Sequence, residues 1–467
     1  MRILAAILAL SCIAALGYSP LAAQQYIDPE EESAELQLPG EEKPAAEQPS
    51  AEKPAPRPAA TPAVIQPTLS PAETLKKHEW EFLNSSAVAA DEDALKLLLP
   101  HLEDWLAANP EHSAAAEALL LKAGVQYKLG DHKSALVSLL RQLQAYPEAD
   151  SSERARRLFG EILAKKADKK LRPVLADAAE QPEVSAPELN VSLLLEKLAA
   201  EAGEEYYEPL AAEFRSFFAR FPGYARNDAV RLSLADLHRL NGEYSAARLA
   251  YEKAIALHPA SPLLARAKLS LANLLADNLK AYDRAIAAYQ DIAASFPGTD
   301  EAWAAYGRLP ALAERQKKYA LAVETDEKII ALYPDKPEAY QAYRAAARVL
   351  REDLKKPQEA IAVLGRLADK YKNDAVIEEA LLPAAEIYRK DLKDSAGEVG
   401  VYERIAAEYQ KNPQAPKALY AAGEIFFKVK DGDRARVYYQ KVMELYPEDP
   451  MSKKAEARLS AIIAGKI

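Results

Sequence analysis

The chain has 467 residues, 28% of them charged, and a formal net charge of −10 at pH 7. This acidic balance argues against binding to bare nucleic acid or to an anionic lipid surface, because both call for a basic patch. The only cysteine is Cys12, so no disulfide can form within the chain.

Residues 1–23 have the layout of a secretory signal peptide. Arg2 precedes an apolar stretch from Ile3 to Leu16, and a cleavage site of small residues ends at Ala23. The apolar stretch is short for a membrane span, and no later segment offers about 18 uncharged apolar residues in a row. We therefore expect an exported chain, located in the periplasm of a host with two membranes.

Cys12 lies inside the apolar stretch, in a setting that loosely resembles a bacterial lipoprotein box. Such a box normally ends the apolar run, whereas here the run continues to Leu16. Two outcomes stay open at this point. Cys12 is either removed with the signal or lipidated, and only lipidation would bring the chain into contact with a membrane, as an outer-membrane associated protein.

Residues 24–71 predict a disordered spacer that is first acidic and then rich in proline. Eight prolines lie between Pro39 and Pro67. Proline at this density removes backbone donors and favours extended conformations, while few apolar side chains remain to drive collapse. The spacer is either a tether or a solubilising leader, and the leader is the simpler interpretation when nothing anchors the chain.

From Ala72 onward, the sequence is helical in character, with apolar residues returning every three or four positions. Prolines about 37 residues apart divide it into ten helix pairs, which predicts a solenoid. We expect divergent pairs over 72–222, clearer pairs over 223–447 and a capping helix within 448–467. The dividing prolines are Pro110, Pro147, Pro182, Pro222, Pro259, Pro297, Pro334, Pro413 and Pro447.

The clearest unit is 223–259. Ala235 and His238 share a stripe of a first helix that ends at Gly242, while Ala247 and Tyr251 form the facing stripe of a second helix. Small residues let the two helix axes approach, and the tyrosine fills the space between adjacent pairs. Pro259 then stops the second helix.

These positions resemble the tetratricopeptide repeat, including its turn glycine, its small residue in the second helix, its aromatic residue four positions later and its closing proline. The unit 260–297 repeats the second-helix signature with Tyr282, Ala285 and Tyr289, and the last unit has Ala435 and Tyr439. The resemblance implies an all-α fold, a right-handed α-solenoid of about ten helix pairs. The spacing and the Tyr-Pro or Phe-Pro closures look most like repeats of bacterial envelope proteins, such as the outer-membrane assembly lipoprotein and the Tol-Pal accessory protein.

Several units depart from the repeat pattern. Asp326 stands where other units have tyrosine, and Pro310 and Pro383 fall inside predicted first helices, which they should kink. The turn glycine of the last unit, Gly432, sits two places late, and the unit 148–182 matches least.

No pattern in the sequence points to catalysis, a cofactor or a metal. No two of the six histidines stand three or four residues apart, and there is no phosphate-binding loop or nucleophile elbow. His238 occupies a packing position of its unit. We therefore expect a non-enzymatic protein with no cofactor.

In tetratricopeptide repeats the first helices line the inner groove, and the resemblance places Asp236, Arg239, Tyr420, Glu424 and Phe427 there. Tyr420 and Phe427 are candidate anchors for a partner peptide, unless the C-terminal helix folds over them. We expect an exported scaffold that binds envelope proteins or peptides. The alternative is a glycan-handling module in polysaccharide export or cell-wall metabolism, with groove tyrosines that stack on sugar rings.

Overall fold

The computed structural model describes residues 70–183 and 186–465. The signal peptide and nearly all of the expected spacer lie outside these residues. The described residues contain helices and no strand, and none of their helices is long and apolar enough to cross a membrane. The expected all-α fold is confirmed.

The helices come in pairs, and each predicted unit of 37 or so residues holds one pair. The N-terminal four pairs fall within the divergent region 72–222, apart from the first residue of the first helix. Their bounds are α1 Pro71–Ala89 and α2 Glu92–Ala108, α3 Ala115–Lys128 and α4 His132–Ala145, α5 Ser152–Lys166 and α6 Arg172–Ala178, and α7 Pro187–Glu201 and α8 Tyr207–Arg220.

The remaining pairs follow with more regular lengths, and a last helix closes the stack. The ninth first helix is α17, flanked by π-helical turns at Ile377–Leu381 and Tyr388–Leu392. The other bounds are α9 Asn227–Leu240, α10 Tyr244–Leu257, α11 Leu264–Asp277, α12 Tyr282–Ser295, α13 Asp300–Arg315, α14 Tyr319–Leu332, α15 Pro337–Glu352, α16 Pro357–Lys370, α17 Leu382–Ile387, α18 Ser395–Glu408, α19 Gln414–Lys428, α20 Gly432–Leu445 and α21 Pro450–Ile463.

The second helices end in one recurring turn, which explains the proline ladder. After most second helices the residue is aromatic or histidine, and its N–H donates to the carbonyl four residues back; Tyr333, for example, donates to Ile329 at 2.9 Å. Where proline follows, it has no N–H to continue the helix. The residues with φ between −121° and −137° at this turn are Asn109, Tyr146, Phe221, His258, Phe296, Tyr333, Tyr409 and Tyr446.

In the second pair and from the fifth pair onward, the turn from a first to a second helix has a left-handed residue, which is glycine at Gly130 and Gly242. In five later pairs the position is filled by lysine: Lys280, Lys317, Lys355, Lys393 and Lys430, with φ between 54° and 62°. These five are the only non-glycine residues of positive φ in the described ranges. The turn residue of the last pair is therefore Lys430, and the assignment to Gly432 was wrong, since Gly432 is the first residue of α20.

The same hydrogen bond closes the turns at Gly242 and Lys430, whereas the turns at Lys280, Lys355 and Lys393 have a bond to the carbonyl six residues back. Glu243 N–H donates to the His238 carbonyl at 2.9 Å, and Asp431 N–H donates to the Phe426 carbonyl at 3.0 Å. This bond to the carbonyl five residues back belongs to the Schellman motif, which needs a left-handed residue just past the helix. The turn at Lys430 thus has the same geometry as the turn at Gly242, although lysine takes the place of glycine, the residue that suits a left-handed turn best.

The N-terminal pairs pack differently from the rest, because α4 is covered on all sides. Its residues from Ala135 to Ala145 are all buried, and it packs against α3, α5, α7 and α8. Its polar side chains have partners: Arg141 donates to Glu213 of α8 at 2.9 Å and to Ser216 at 2.8 Å. The short helix α6 lets the chain fold back, so that α7 and α8 reach α4.

Lys430 gives a test of the left-handed turn. We expect Lys430→Gly to be more stable than Lys430→Ala by about 1 kcal/mol, because both lack the charge but only alanine keeps the clash of Cβ at positive φ. The measurement is the thermal unfolding midpoint of the two variants. In the reciprocal pair, Gly242→Ala should lower the midpoint relative to the parent. Equal midpoints for Lys430→Gly and Lys430→Ala would contradict this account.

Candidate partner-binding face

The first helices from α9 onward lie side by side and form one face of the solenoid, here called the first-helix face. Ion pairs join these helices to one another. Arg348 of α15, for instance, lies 2.6 Å from Glu314 of α13. The other such pairs are Asp277 with Arg308, Glu386 with Arg351, and Glu424 with Arg458.

The floor of the first-helix face is set by the eighth residue of each second helix. The rings of Tyr251, Tyr289 and Tyr439 occupy this position and are fully buried. Each hydroxyl donates to a side chain of the first helix of its own pair, since a buried hydroxyl without an acceptor is costly. Tyr251 donates to Asp236 at 2.5 Å, Tyr289 to Asn273 at 2.7 Å and Tyr439 to Glu424 at 2.7 Å.

At the C-terminal end, three of the predicted site residues come together around Tyr439. The rings of Tyr420 and Phe427 lie 5.6 and 6.4 Å from that of Tyr439. Arg458 of α21 stacks on Phe427 at 4.4 Å and holds Glu424 with two hydrogen bonds of 2.7 and 2.9 Å. Tyr420, Glu424 and Phe427 all remain partly exposed.

The carboxyl of Glu424 and the phenol of Tyr439 each have a fixed protonation state near neutral pH. Burial disfavours the charged form of Glu424, but hydrogen bonds from Tyr439 and Arg458 outweigh it and hold the pKa of the carboxyl below its usual value. Burial and the hydrogen bond to Glu424 raise the pKa of Tyr439. The cluster therefore stays a neutralised ion pair with a neutral phenol, and the surface it offers to a partner is aromatic.

Asp236 and Arg239 lie on the same face but on α9, five pairs away from α19. Asp236 accepts from Tyr251, and the Arg239 guanidinium lies 3.7 Å from its carboxylate. The structure thus places the five predicted residues in two separate clusters and not in one site. Their role in partner binding stays a prediction.

A cleft that the sequence analysis missed opens between α15 and α17, with a volume of about 450 Å³. Arg344, Arg348 and Arg351 line its α15 side, and Pro383 lines the other. Its floor is Leu364, at the position where Tyr251 and its equivalents stand. The spacing of the three arginines on one helical face was the available signal.

His238 packs against Tyr207 of α8. His238 Nδ1 lies 3.0 Å from the Tyr207 hydroxyl, and burial lowers the pKa of its imidazole. Across residues 70–183 and 186–465, no three His, Cys, Asp or Glu side chains come together in a metal-binding arrangement.

Comparison with known proteins identifies the repeat. Sequence profiles of the tetratricopeptide repeat match residues 232–300 and 269–337, and a second such profile matches 417–449. Residues 232–337 and 417–449 carry tetratricopeptide repeats. The matched ranges fall on the helix pairs in which Tyr251, Tyr289 and Tyr439 are buried, and no curated protein sequence matches the chain.

Solved structures resemble the chain only distantly. A tetratricopeptide repeat protein from Parabacteroides merdae is 14% identical, with 58% of this chain and 99% of that chain covered and a TM-score of 0.30. YrrB, described as a TPR protein with an unusual peptide-binding site, is 19% identical over 44% of this chain and 98% of its own, with a TM-score of 0.26. The Naa15/Naa10 complex bound to HypK-THB gives 15% identity, coverage of 83% and 61%, and a TM-score of 0.34. Similarities of this size carry no argument about function.

One tetratricopeptide repeat has a buried acid in place of the floor tyrosine. Asp326 of α14 is 2% exposed, and its Oδ2 has no hydrogen-bond partner. Burial, followed by the nearby carboxylates of Glu314 and Glu327, raises the pKa of Asp326 to about 8, although Arg348 acts in the opposite direction. The carboxyl is therefore largely protonated in the folded repeat at neutral pH.

This raised pKa makes stability depend on pH. The folded repeat holds a proton that the unfolded chain releases near pH 4, so stability falls as the pH rises from about 4 to about 8. Asp326→Asn should remove this dependence. We expect the variant and the parent to melt at similar temperatures at pH 5, and the variant to melt higher at pH 9. Thermal midpoints by circular dichroism measure this.

Asp236→Asn is the matched control, because Asp236 occupies the same face but is partly exposed and hydrogen-bonded to Tyr251. It should show no comparable gain at pH 9. A difference between Asp326→Asn and the parent that is the same at pH 5 and pH 9 would rule out a buried, protonated carboxyl.

Proposed function

We propose that this protein is an exported, non-catalytic scaffold that holds proteins of the cell envelope on its first-helix face. The observation that carries the proposal is the pair Tyr420 and Phe427, which are partly exposed on a face built from tetratricopeptide repeats. Aromatic side chains on a rigid helical surface commonly dominate binding energy. Tetratricopeptide repeats mediate protein–protein interactions, and the surface beside Glu424 is aromatic and electrically neutralised.

The geometry also bears on how such a partner would bind. Arg458 stacks on one side of Phe427, so α21 covers part of the cluster and leaves the rest open. A partner segment would add to this stack rather than enter a closed pocket. The cleft beside Leu364 offers a second place on the same face at which a partner segment could bind.

The glycan-handling alternative needs a continuous row of solvent-facing rings. The tyrosines that recur along the first-helix face, Tyr251, Tyr289 and Tyr439, are fully buried, so their faces are not offered to sugars. No feature of the described residues favours this function over the scaffold.

Partner capture tests the scaffold. The protein is crosslinked in cells of its native host, and captured proteins are identified for the parent and for Tyr420→Ser with Phe427→Ser. We expect envelope proteins to be captured by the parent and to be lost with the double variant, whose helicity by circular dichroism should be unchanged. Removal of two aromatic anchors should weaken binding by about tenfold or more.

The matched control replaces two exposed side chains of second helices, Leu249→Ser with Leu332→Ser, and should capture as the parent does. Equal capture by the parent and the Tyr420 and Phe427 variant would sink the anchor proposal. Co-purification of a sugar polymer without any captured protein would replace the scaffold by the glycan-handling function.

Export is tested by the N-terminus of the mature protein. We expect cleavage after Ala23, so that mass spectrometry of protein from the native host finds a chain that begins at Gln24. A chain that begins at a lipid-modified Cys12 would instead establish membrane attachment. An uncleaved chain found only in the cytoplasm would contradict export altogether.

A further inference from the structure

The five lysines in left-handed turns form a row on the surface, here called the lysine edge. They are Lys280, Lys317, Lys355, Lys393 and Lys430, and all are exposed. Each stands at the same turn of successive helix pairs, where a first helix passes into a second. Because successive first helices lie side by side and packed helices are about 10 Å apart, the row has roughly that spacing.

Lysine is a poor choice for this backbone conformation. A side chain at positive φ costs about 1 kcal/mol, and glycine avoids that cost at Gly130 and Gly242 of the same chain. The attraction of a cation to the end of a helix does not account for most of these lysines, because the last turns of four of the five first helices, all but α11, already carry basic residues. Examples are Arg315, Arg351 and Lys428.

The ammonium groups of this row have no carboxylate partner. Within the described residues, no Asp or Glu oxygen lies within 4 Å of the Nζ of Lys317, Lys355, Lys393 or Lys430, and Lys280 donates only to the backbone carbonyl of Asp277. Of the five, Lys280 is thus the one held by the protein itself.

The acidic side chains of the same turns are mostly engaged elsewhere. Asp283 is paired with Lys318, and Asp391 with Arg351. Asp394 accepts from two backbone N–H groups at the start of α18, and Asp431 accepts from one at the start of α20. Four unpaired ammonium groups therefore face solvent in a row, on a chain whose net charge is negative.

We propose that the lysine edge is a second docking surface, which takes an extended segment of a partner protein with an acidic side chain at every third position. A polyproline II segment rises about 3.1 Å per residue and has three residues per turn, so every third side chain points the same way and recurs about every 9 Å. This spacing is close to the roughly 10 Å expected between neighbouring packed helices. Strain retained in the turns of five successive pairs is explained if the ammonium groups bind such a segment.

The probe is a labelled peptide of about six Glu-Pro-Pro units, which at about 9 Å per unit spans the five turns. Its affinity for the full mature chain is measured by fluorescence anisotropy. We expect binding that weakens in high salt, as for exposed charges. The Gln-Pro-Pro analogue and a peptide of the same composition with its glutamates clustered should bind at least about tenfold more weakly.

Two sets of four substitutions separate position from charge. Lysine to glutamine at Lys317, Lys355, Lys393 and Lys430 should weaken binding by about tenfold or more, since each lost ion pair removes a modest part of the free energy. Glutamine at Lys253, Lys411, Lys417 and Lys454 changes the net charge equally, away from the edge, and should leave the affinity within about twofold. Glycine at the four edge positions should also abolish binding while raising the melting temperature, which excludes misfolding as the cause.

Binding should be unchanged in the Tyr420→Ser with Phe427→Ser variant, so the two surfaces can fail independently. The proposal is overturned if the parent does not bind the peptide, if both glutamine sets lose affinity equally, or if the clustered peptide binds as tightly. It is also overturned if vesicles of phosphatidylglycerol in phosphatidylcholine bind through the edge lysines and the peptide does not, since a lipid surface would then be the occupant.

Discussion

The contact between the floor residue of each second helix and the first helix of its pair is the interaction on which the repeated part of the molecule depends. A solenoid has no central core, so each pair is stabilised only by its own two helices and its neighbours. Tyr251, Tyr289 and Tyr439 fill this contact completely. At Gly423 the fit is so close that an added Cβ would lie 2.7 Å from a ring carbon of Tyr439. The small residue and the ring thus determine one another.

The same contact fixes part of the chemistry of the binding face. A buried phenol needs an acceptor, because leaving its hydroxyl unpaired costs about 1–3 kcal/mol. The first helix supplies Asp236, Asn273 or Glu424 for this purpose, and these side chains also reach the surface. The need of the buried phenols for an acceptor therefore suffices to explain Asp236 and Glu424 among the predicted site residues. Tyr420 and Phe427 are not required as acceptors, which is why they carry the functional argument.

Where the floor tyrosine is absent, the face changes. Leu364 has no hydroxyl and forms the floor of the cleft between α15 and α17, and arginines of α15 line one side of this cleft. Asp326 is polar but finds no partner for Oδ2, and the position is occupied by a largely protonated acid. Two adjacent repeats thus differ from the others in shape and in protonation while the helical framework continues through them.

The sequence was sufficient for the framework because its signals are local. The aromatic residue and proline that end a second helix act within a few residues, so the ladder predicted the ten pairs. The lysine turns were not predicted, because backbone hydrogen bonds set their conformation and lysine adopts the left-handed backbone only with some strain. In the last pair, the nearby Gly432 was taken for the turn residue instead of Lys430. The burial of α4 was not predicted either, because it depends on contacts with α7 and α8, which are distant in the sequence and leave no local pattern.

The buried floor residues, the first-helix face and the lysine edge differ in how far a substitution in one of them alters the others. A change at the floor tyrosine alters both packing and the acceptor on the face, so face and core vary together. A lysine at a left-handed turn contacts neither, and its replacement changes only local strain and charge. The edge is therefore the surface on which charge can be placed or removed without repacking the solenoid. Retention of a strained residue there in five successive pairs is then informative, because packing imposes no lysine at that position.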